Sequence, residues 1–196
     1  MSSGLEPEWA QSSTVPERAG SSVAPTVSVI ICAYTLERWD NLVAAVESVL
    51  GQRQAPLETI VVIDGNADLE QRARATFREA VVLTNAHNQG LSGGRRTGAE
   101  AASGEVLAFL DDDAIADPEW LEQICGPYAD PNVLGVGGLI DPLWEQPPPG
   151  WFPAEFNWVV GCTYVGMPVR RGLWRSSIAP QRTIWGFHQI TRFGLL

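Results

Sequence analysis

Three consecutive carboxylates, Asp111, Asp112 and Asp113, directly follow an apolar run at residues 105–110 (EVLAFL). Carboxylates about 4 Å apart repel by about 4 kcal/mol at an effective dielectric constant of about 20. A hard divalent cation, Mg²⁺ or Mn²⁺, would explain three carboxylates at a half-buried strand end. Such an ion binds one or two carboxylates and completes its coordination shell with water and substrate phosphates. The alternative is that some of the three only form turns and caps.

The segments that position these carboxylates alternate between apolar strands and amphipathic helices. Residues 27–32 (VSVIIC), 59–63 (TIVVI) and 105–110 are short apolar runs, typical of strands buried on both faces. We also expect short strands at residues 81–83 and 133–136. The alternation predicts an α/β fold with a mostly parallel sheet, flanked by helices and joined by right-handed crossovers.

Ligands of an open parallel sheet bind outside the carboxyl ends of its strands. Polar residues follow three of the predicted strands, at residues 33–35, 64–66 and 111–113. We therefore expect the three groups to line one crevice. A dinucleotide fingerprint is excluded because no glycine follows the first strand before Gly51, and a P-loop is excluded because the chain has no lysine.

Composition narrows the class of protein. The 196 residues are 45% hydrophobic and 18% charged, which indicates a globular domain, and the net charge is −10. That charge argues against a nucleic-acid partner, because nucleic-acid binding depends on clustered cations. Cys32, Cys125 and Cys162 form no CxxC pair, which favours a reducing compartment. With no apolar signal segment or membrane-length run, the sequence predicts a cytoplasmic protein, with association at the inner face of a membrane as an open alternative.

The sequence resembles the family 2 glycosyltransferases of the GT-A fold over residues 26–142. The resemblance rests on the segments VSVIICAYTLERWDNLVAAVESVLGQ, ETIVVIDGNAD, NQGLSGGRRTGAEAASGEVLAFLDDDAIADPEWLE and VLGVGGLIDP. It implies a Rossmann-like GT-A domain, a nucleotide-diphosphate-sugar donor (UDP-sugar as first choice) and a divalent metal ion, Mg²⁺ or Mn²⁺. It further implies transfer with inversion to an acceptor hydroxyl in glycan or polysaccharide biosynthesis, where the acceptor, a glycan or a lipid-linked molecule, stays open.

The resemblance also implies roles for residues after the first two strands. Ala33 and Tyr34 would line the base and ribose pocket, with Glu37 nearby, although Tyr34 could equally be a core aromatic residue. Asp64 would approach a uracil-type base. The family often has a second acid after this aspartate, whereas Gly65 stands here, so the identity of the base stays open.

Around the aspartate run, the resemblance implies metal and phosphate contacts. Asp111 would face the ribose or the metal, Asp113 would be the main metal ligand, and Asp112, the middle residue, would face the donor. Arg95 matches the arginine that lies against the donor, where the start of a helix also favours phosphate; the alternative is a solvated helix residue. A metal ion and an arginine would together stabilise the leaving diphosphate.

The C-terminal part departs from this pattern. Residues 156–196 contain five arginines and no acid, so the general base that the family places downstream has no counterpart there. We predict a flexible leader at 1–25, a GT-A domain at 26–168 that is incomplete at its C-terminal side, and a basic, aromatic tail at 169–196. One hypothesis is that the natural reading frame departs near Pro168; a tail for membrane-surface or partner contact is the other. The alternative function is an inactive module that binds a nucleotide sugar.

Overall fold

The computed structural model describes residues 24–130, 133–144, 147, 150–153, 155–157, 162, 182–184 and 189–193. The strands in this part of the chain are β1 (Val27–Ala33), β2 (Glu58–Ile63), β3 (Val81–Thr84), β4 (Val106–Asp111), β5 (Ala114–Ile115), β6 (Ile140–Trp144), β7 (Arg182–Ile184) and β8 (Gln189–Phe193). The helices are α1 (Trp39–Leu50), α2 (Ala67–Thr76), α3 (Leu91–Ala101) and α4 (Trp120–Cys125), with 3₁₀ turns at Leu36–Arg38 and Gly126–Ala129. None of these helices is long and apolar enough to cross a membrane.

The main sheet has five parallel strands in the order β3-β2-β1-β4-β7. The chain runs from β1 outward to β2 and β3, so right-handed crossovers place α1 and α2 on one face of the sheet. It then returns to β4 on the other side of β1, which places α3 on the opposite face. The predicted parallel α/β architecture is confirmed, and the strand order reverses between β1 and β4.

A second, smaller sheet has the order β5-β8-β6, in which β8 is antiparallel to β5 and parallel to β6. The strand predicted at residues 133–136 was wrong: residues 133–139 are irregular, and the strand begins at Ile140. The segment from 134 to 138 reads LGVGG, and glycines weaken a strand because they lose more backbone freedom on folding and have no side chain to pack.

The two ends of the predicted domain fall largely outside the described residues. Of the predicted leader at 1–25, only residues 24 and 25 are described. In the predicted tail at 169–196, two segments are described, and their backbones form β7 beside β4 and β8 beside β6. The boundaries of the three predicted segments stay predictions.

The core lies mainly between the sheet and the helices α1, α2 and α4. Helix α1 presents an apolar stripe to it, with spacings of three and four residues typical of one helical face. Its buried residues are Trp39, Leu42, Ala45, Val46 and Val49. The Trp39 ring stacks on Phe77 at 5.5 Å, and the guanidinium of Arg72 covers it at 4.1 Å. This packing fixes the start of α1 and therefore the 3₁₀ turn before it.

Candidate active site

A cavity of about 460 Å³ opens at the carboxyl ends of β1 and β4. This is the point at which the strand order reverses, and ligands of open α/β sheets bind at such points. The lining residues are Cys32, Ala33, Tyr34, Arg38, Asp64, Gly90, Leu91, Gly94, Asp111, Asp112 and Asp113. Polar groups that follow three separate strands thus meet at one edge of the sheet.

The end of β1 provides an apolar wall and an exposed ring. Ala33 is 2% exposed, whereas Tyr34 is 58% exposed. That exposure excludes the alternative of Tyr34 as a core aromatic residue. The side-chain amide of Asn66 donates to the backbone oxygen of Tyr34 at 3.1 Å. Glu37 is exposed on the 3₁₀ turn and is not among the residues that line the cavity.

Asp64, directly after β2, is held by the loop that follows β3. Its Oδ1 accepts from the Nδ2 of Asn85 at 2.7 Å, and its Oδ2 accepts from the backbone N–H of Gly90 at 2.7 Å. Thr97 on α3 donates in turn to the Oδ1 of Asn85 at 2.9 Å. Gly90 has a φ of 113°, which favours glycine. Asp64 therefore fixes one wall of the cavity as well as lining it.

Asp111 is paired with Arg95 from the first turns of α3. The Nη2 of Arg95 donates to the Oδ1 of Asp111 at 3.1 Å, and the guanidinium lies 5.6 Å from the centre of the Phe109 ring. Glycines bring α3 close to the sheet, because a Cβ at Gly98 would lie 2.5 Å from Ile30. Arg95 therefore lies against the aspartate run, although it is not itself among the lining residues, and its contact with a donor stays a prediction.

Asp112 and Asp113 share one arginine, Arg38, from the 3₁₀ turn before α1. Its Nη1 donates to Asp112 Oδ1 and to Asp113 Oδ2, each at 3.2 Å. The guanidinium also lies 5.9 Å from the centre of the Tyr34 ring. Arg38 was not predicted from the sequence. The available signal was a cation just after the first strand in a chain whose third strong strand ends in three acids.

Burial and mutual repulsion dominate the electrostatics of the aspartate run. Burial raises the pKa of Asp112 to about 6; Arg38 opposes that shift, and the neighbouring aspartates add to it. Burial also raises the pKa of Asp113. The Cys32 thiol beside them has its pKa raised to about 12, again mainly by burial. The cavity is thus a place where negative charge is costly and an added cation is favourable.

The carboxylates of the cavity fit a divalent metal ion that is held partly by the protein and partly by the phosphates of a bound molecule. Within the described part of the chain, no group of three or more His, Cys, Asp or Glu side chains is arranged to hold a metal. Among the same residues, the buried Oδ2 of Asp112 has no hydrogen-bond partner. Mg²⁺ and Mn²⁺ need only one or two protein carboxylates where phosphates complete the shell. A cation near Asp112 and Asp113 would satisfy the orphaned oxygen and offset the repulsion.

Several known proteins are similar to this chain. The family described as Glycosyl transferase family 2 matches residues 28–166. A glucosyl-dolichyl phosphate glucuronosyltransferase of Haloferax volcanii is 38% identical over 167 residues, 81% of this chain and 53% of the relative. An uncharacterized glycosyltransferase of Haemophilus influenzae is 33% identical over 62% of this chain and 39% of its own length. This chain therefore spans about half or less of the length of these curated relatives.

Among solved structures, a glucosyl-3-phosphoglycerate synthase of Mycobacterium tuberculosis, in complex with Mn²⁺, UDP and glucosyl-3-phosphoglycerate, matches with a TM-score of 0.46 and 23% identity. The match covers 61% of this chain and 44% of that chain.

The fold and the site together define the class of protein: a parallel α/β domain with an acidic cavity at the point where the strand order reverses. The family match, which covers most of the chain, makes the assignment specific: this chain belongs to glycosyltransferase family 2. Its fold is accordingly the predicted GT-A fold, a mostly parallel sheet flanked by helices.

Proposed function

We propose that the cavity binds a nucleotide-diphosphate sugar, with UDP as the first choice of nucleotide, together with Mg²⁺ or Mn²⁺. We further propose that the sugar passes with inversion to an acceptor hydroxyl. The observation that supports this is that three adjacent carboxylates and Arg38 line one cavity of about 460 Å³, with Arg95 paired to Asp111 beside it. Such a set can bind a cation and the diphosphate that the cation attracts.

The carboxylates of Asp113 and Asp111 would hold the metal ion, and Asp112 would contribute its unpaired Oδ2 or contact the donor. Each of the three borders the cavity. A divalent ion bound there would neutralise the charge that develops on the leaving diphosphate. The protein's own contribution is to keep the carboxylates together despite their repulsion, through their pairing with Arg38 and Arg95.

Other residues would fix the position of the donor. The exposed ring of Tyr34 offers a face for the base, and the small, buried Ala33 leaves room beside it. Arg95, near the N-terminus of α3, adds positive charge where a helix start already favours phosphate. Asp64 would contact the base while its carboxylate stays hydrogen-bonded to Asn85 and Gly90.

The acceptor is proposed from the relatives. The name of the Haloferax relative refers to a glucosyl-dolichyl phosphate and to glucuronosyl transfer. We propose a lipid-linked sugar as the acceptor class, which would bring the protein to a membrane surface. Transfer also needs a base on the acceptor hydroxyl, so donor binding and transfer have to be measured separately.

Calorimetric titration with UDP in the presence and absence of Mn²⁺ tests donor binding. We expect Mn²⁺-dependent heat from the wild-type chain and a loss of at least about 100-fold in affinity in Asp113→Ala, since outer-shell substitutions alone cost about 10- to 100-fold. Asp68→Ala, an exposed aspartate at the start of α2, is the control and should bind like wild type. Unchanged affinity in Asp113→Ala would overturn the site. Turnover is tested separately, by measuring the release of sugar from UDP-sugars.

A further inference from the structure

Arg38 occupies an unusual position for an arginine. A single nitrogen, Nη1, lies 3.2 Å from an oxygen of Asp112 and 3.2 Å from an oxygen of Asp113. It therefore sits between two carboxylates that repel each other, which is where a metal cation would also be most stable. The side chain of Asp112 is 8% exposed and that of Asp113 is 22% exposed.

The contact leaves the local charge incompletely balanced. In the part of the chain that the structure describes, the three adjacent aspartates pair with Arg38 and Arg95. Among the described residues, the buried Oδ2 of Asp112 still has no hydrogen-bond partner. A divalent cation carries twice the charge of a guanidinium and can satisfy that oxygen. Metal binding and the Arg38 contact thus compete for the same carboxylates.

The arginine is also placed to move without leaving the cavity. Its side chain is 42% exposed, it lines the cavity, and it lies beside the exposed Tyr34 ring. Its position on a three-residue 3₁₀ turn, rather than inside α1, means that a rotamer change leaves the packed helix undisturbed. A guanidinium freed from carboxylates in such a cavity would bind phosphate oxygens well.

We propose that Arg38 is an exchangeable counter-cation: it neutralises Asp112 and Asp113 while the cavity is empty, and it pairs with the diphosphate of the donor once a metal ion holds the carboxylates. This inference rests on the proposed donor and metal. It assigns to Arg38 two opposite effects, one against metal binding and one in favour of donor binding.

The test measures free Mn²⁺ by electron paramagnetic resonance during titration of the chain without nucleotide. In Arg38→Gln, we expect Mn²⁺ to bind about three- to tenfold more tightly, since partly exposed ion pairs of this kind are weak competitors. At saturating Mn²⁺, we expect UDP to bind the same variant about tenfold more weakly, because a charge-assisted contact is lost. Arg38→Lys, which keeps the charge but not the planar fork, should keep Mn²⁺ affinity nearer to wild type.

Arg53→Gln is the matched control, because Arg53 is exposed and paired with Glu119 outside the residues that line the cavity. It should change neither affinity. Mn²⁺ affinity that is unchanged or lower in Arg38→Gln, or UDP affinity at saturating Mn²⁺ that is not reduced, would overturn the exchange. If the wild-type chain binds no Mn²⁺ either with or without UDP, the proposed function fails together with the exchange. Melting curves of Arg38→Gln and Arg38→Lys show whether each variant is folded.

Discussion

The two faces of the five-stranded sheet are packed in opposite ways. On the face covered by α1, α2 and α4, large apolar side chains fill the space, among them Leu42 and Trp120, which are 1% and 0% exposed. On the face covered by α3, the buried residues of the helix are Gly93, Gly94, Thr97 and Gly98, and the strands provide the bulk. The face under α1, α2 and α4, called the thick face below, is stabilised by the apolar volume that it buries. The face under α3, called the thin face, is shaped by how closely that helix can approach the sheet.

This difference explains where the site residues come from. Close approach of α3 places Arg95 against Asp111, whereas the thicker layer on the other face places the turn before α1, with Arg38, against Asp112 and Asp113. The consecutive aspartates are thus paired from opposite faces of the sheet. Both faces are needed to keep three carboxylates at one edge.

The largest effect should follow from removing volume on the thick face. Leu42→Ala deletes a buried side chain of α1 and leaves a cavity, which costs about 2–5 kcal/mol in the free energy of unfolding. Leu50→Ala, on the same helix at 38% exposure, should cost much less. Urea denaturation of both variants measures the difference. Equal losses would show that α1 is not packed as described.

The thick face should also keep its thiol unreactive. Burial raises the pKa of Cys125 on α4 from 9.0 to about 11, against the effect of a hydrogen bond with Gln54. The thiolate is the reactive form, so a raised pKa lowers the thiolate fraction at any pH below that value. At pH 8, a thiol with a pKa of about 11 has a thiolate fraction about 100-fold lower than a thiol with a pKa of 9.0. Peptide mass spectrometry after iodoacetamide treatment should show this slow reaction, rising about tenfold per pH unit until unfolding intervenes. Alkylation as fast as in urea-unfolded chain would contradict it.

A smaller effect should follow from adding volume on the thin face. Gly98→Ala would place its Cβ 2.5 Å from Ile30 Cγ2, and overpacking of this kind costs about 1–3 kcal/mol. In Gly126→Ala, the new Cβ has open space and the backbone is already helical, so the same change should stabilise by about 0.4–1 kcal/mol. Thermal unfolding compares the two. If both variants gain stability, the close approach of α3 is not limiting.

Much of the fold could be predicted from short-range pattern. The apolar runs that became β1, β2 and β4 are buried almost throughout, and their short, continuous apolar character separates them from the amphipathic helices. The carboxyl ends of parallel strands meet at one edge, so the gathering of Tyr34, Asp64 and the aspartate run could also be predicted. The strand predicted at residues 133–136 was wrong because the glycines of this segment outweigh its weak apolar pattern.

The pairings inside the cavity could not be predicted in this way. Arg38 and Asp112 are 74 residues apart in the chain, and Asp64 and Gly90 are 26 apart. Nothing in the local pattern around Arg38 distinguishes it from a solvated arginine at a helix start. Which oxygen each donor reaches depends on the height of a helix above the sheet, and side-chain packing sets that height.

The amino-acid sequence alone determined that strands and helices alternate and that carboxylates follow a buried strand, because both depend on residues close together in the chain. The tertiary structure decided which cation faces which carboxylate. It also decided that Asp64 is held by Asn85 and Gly90, and that the described backbone of residues 182–184 extends the sheet beside β4. These contacts exist only once distant segments pack, since the free energy of a hydrogen bond or an ion pair depends on distances of a few ångströms that no local pattern specifies.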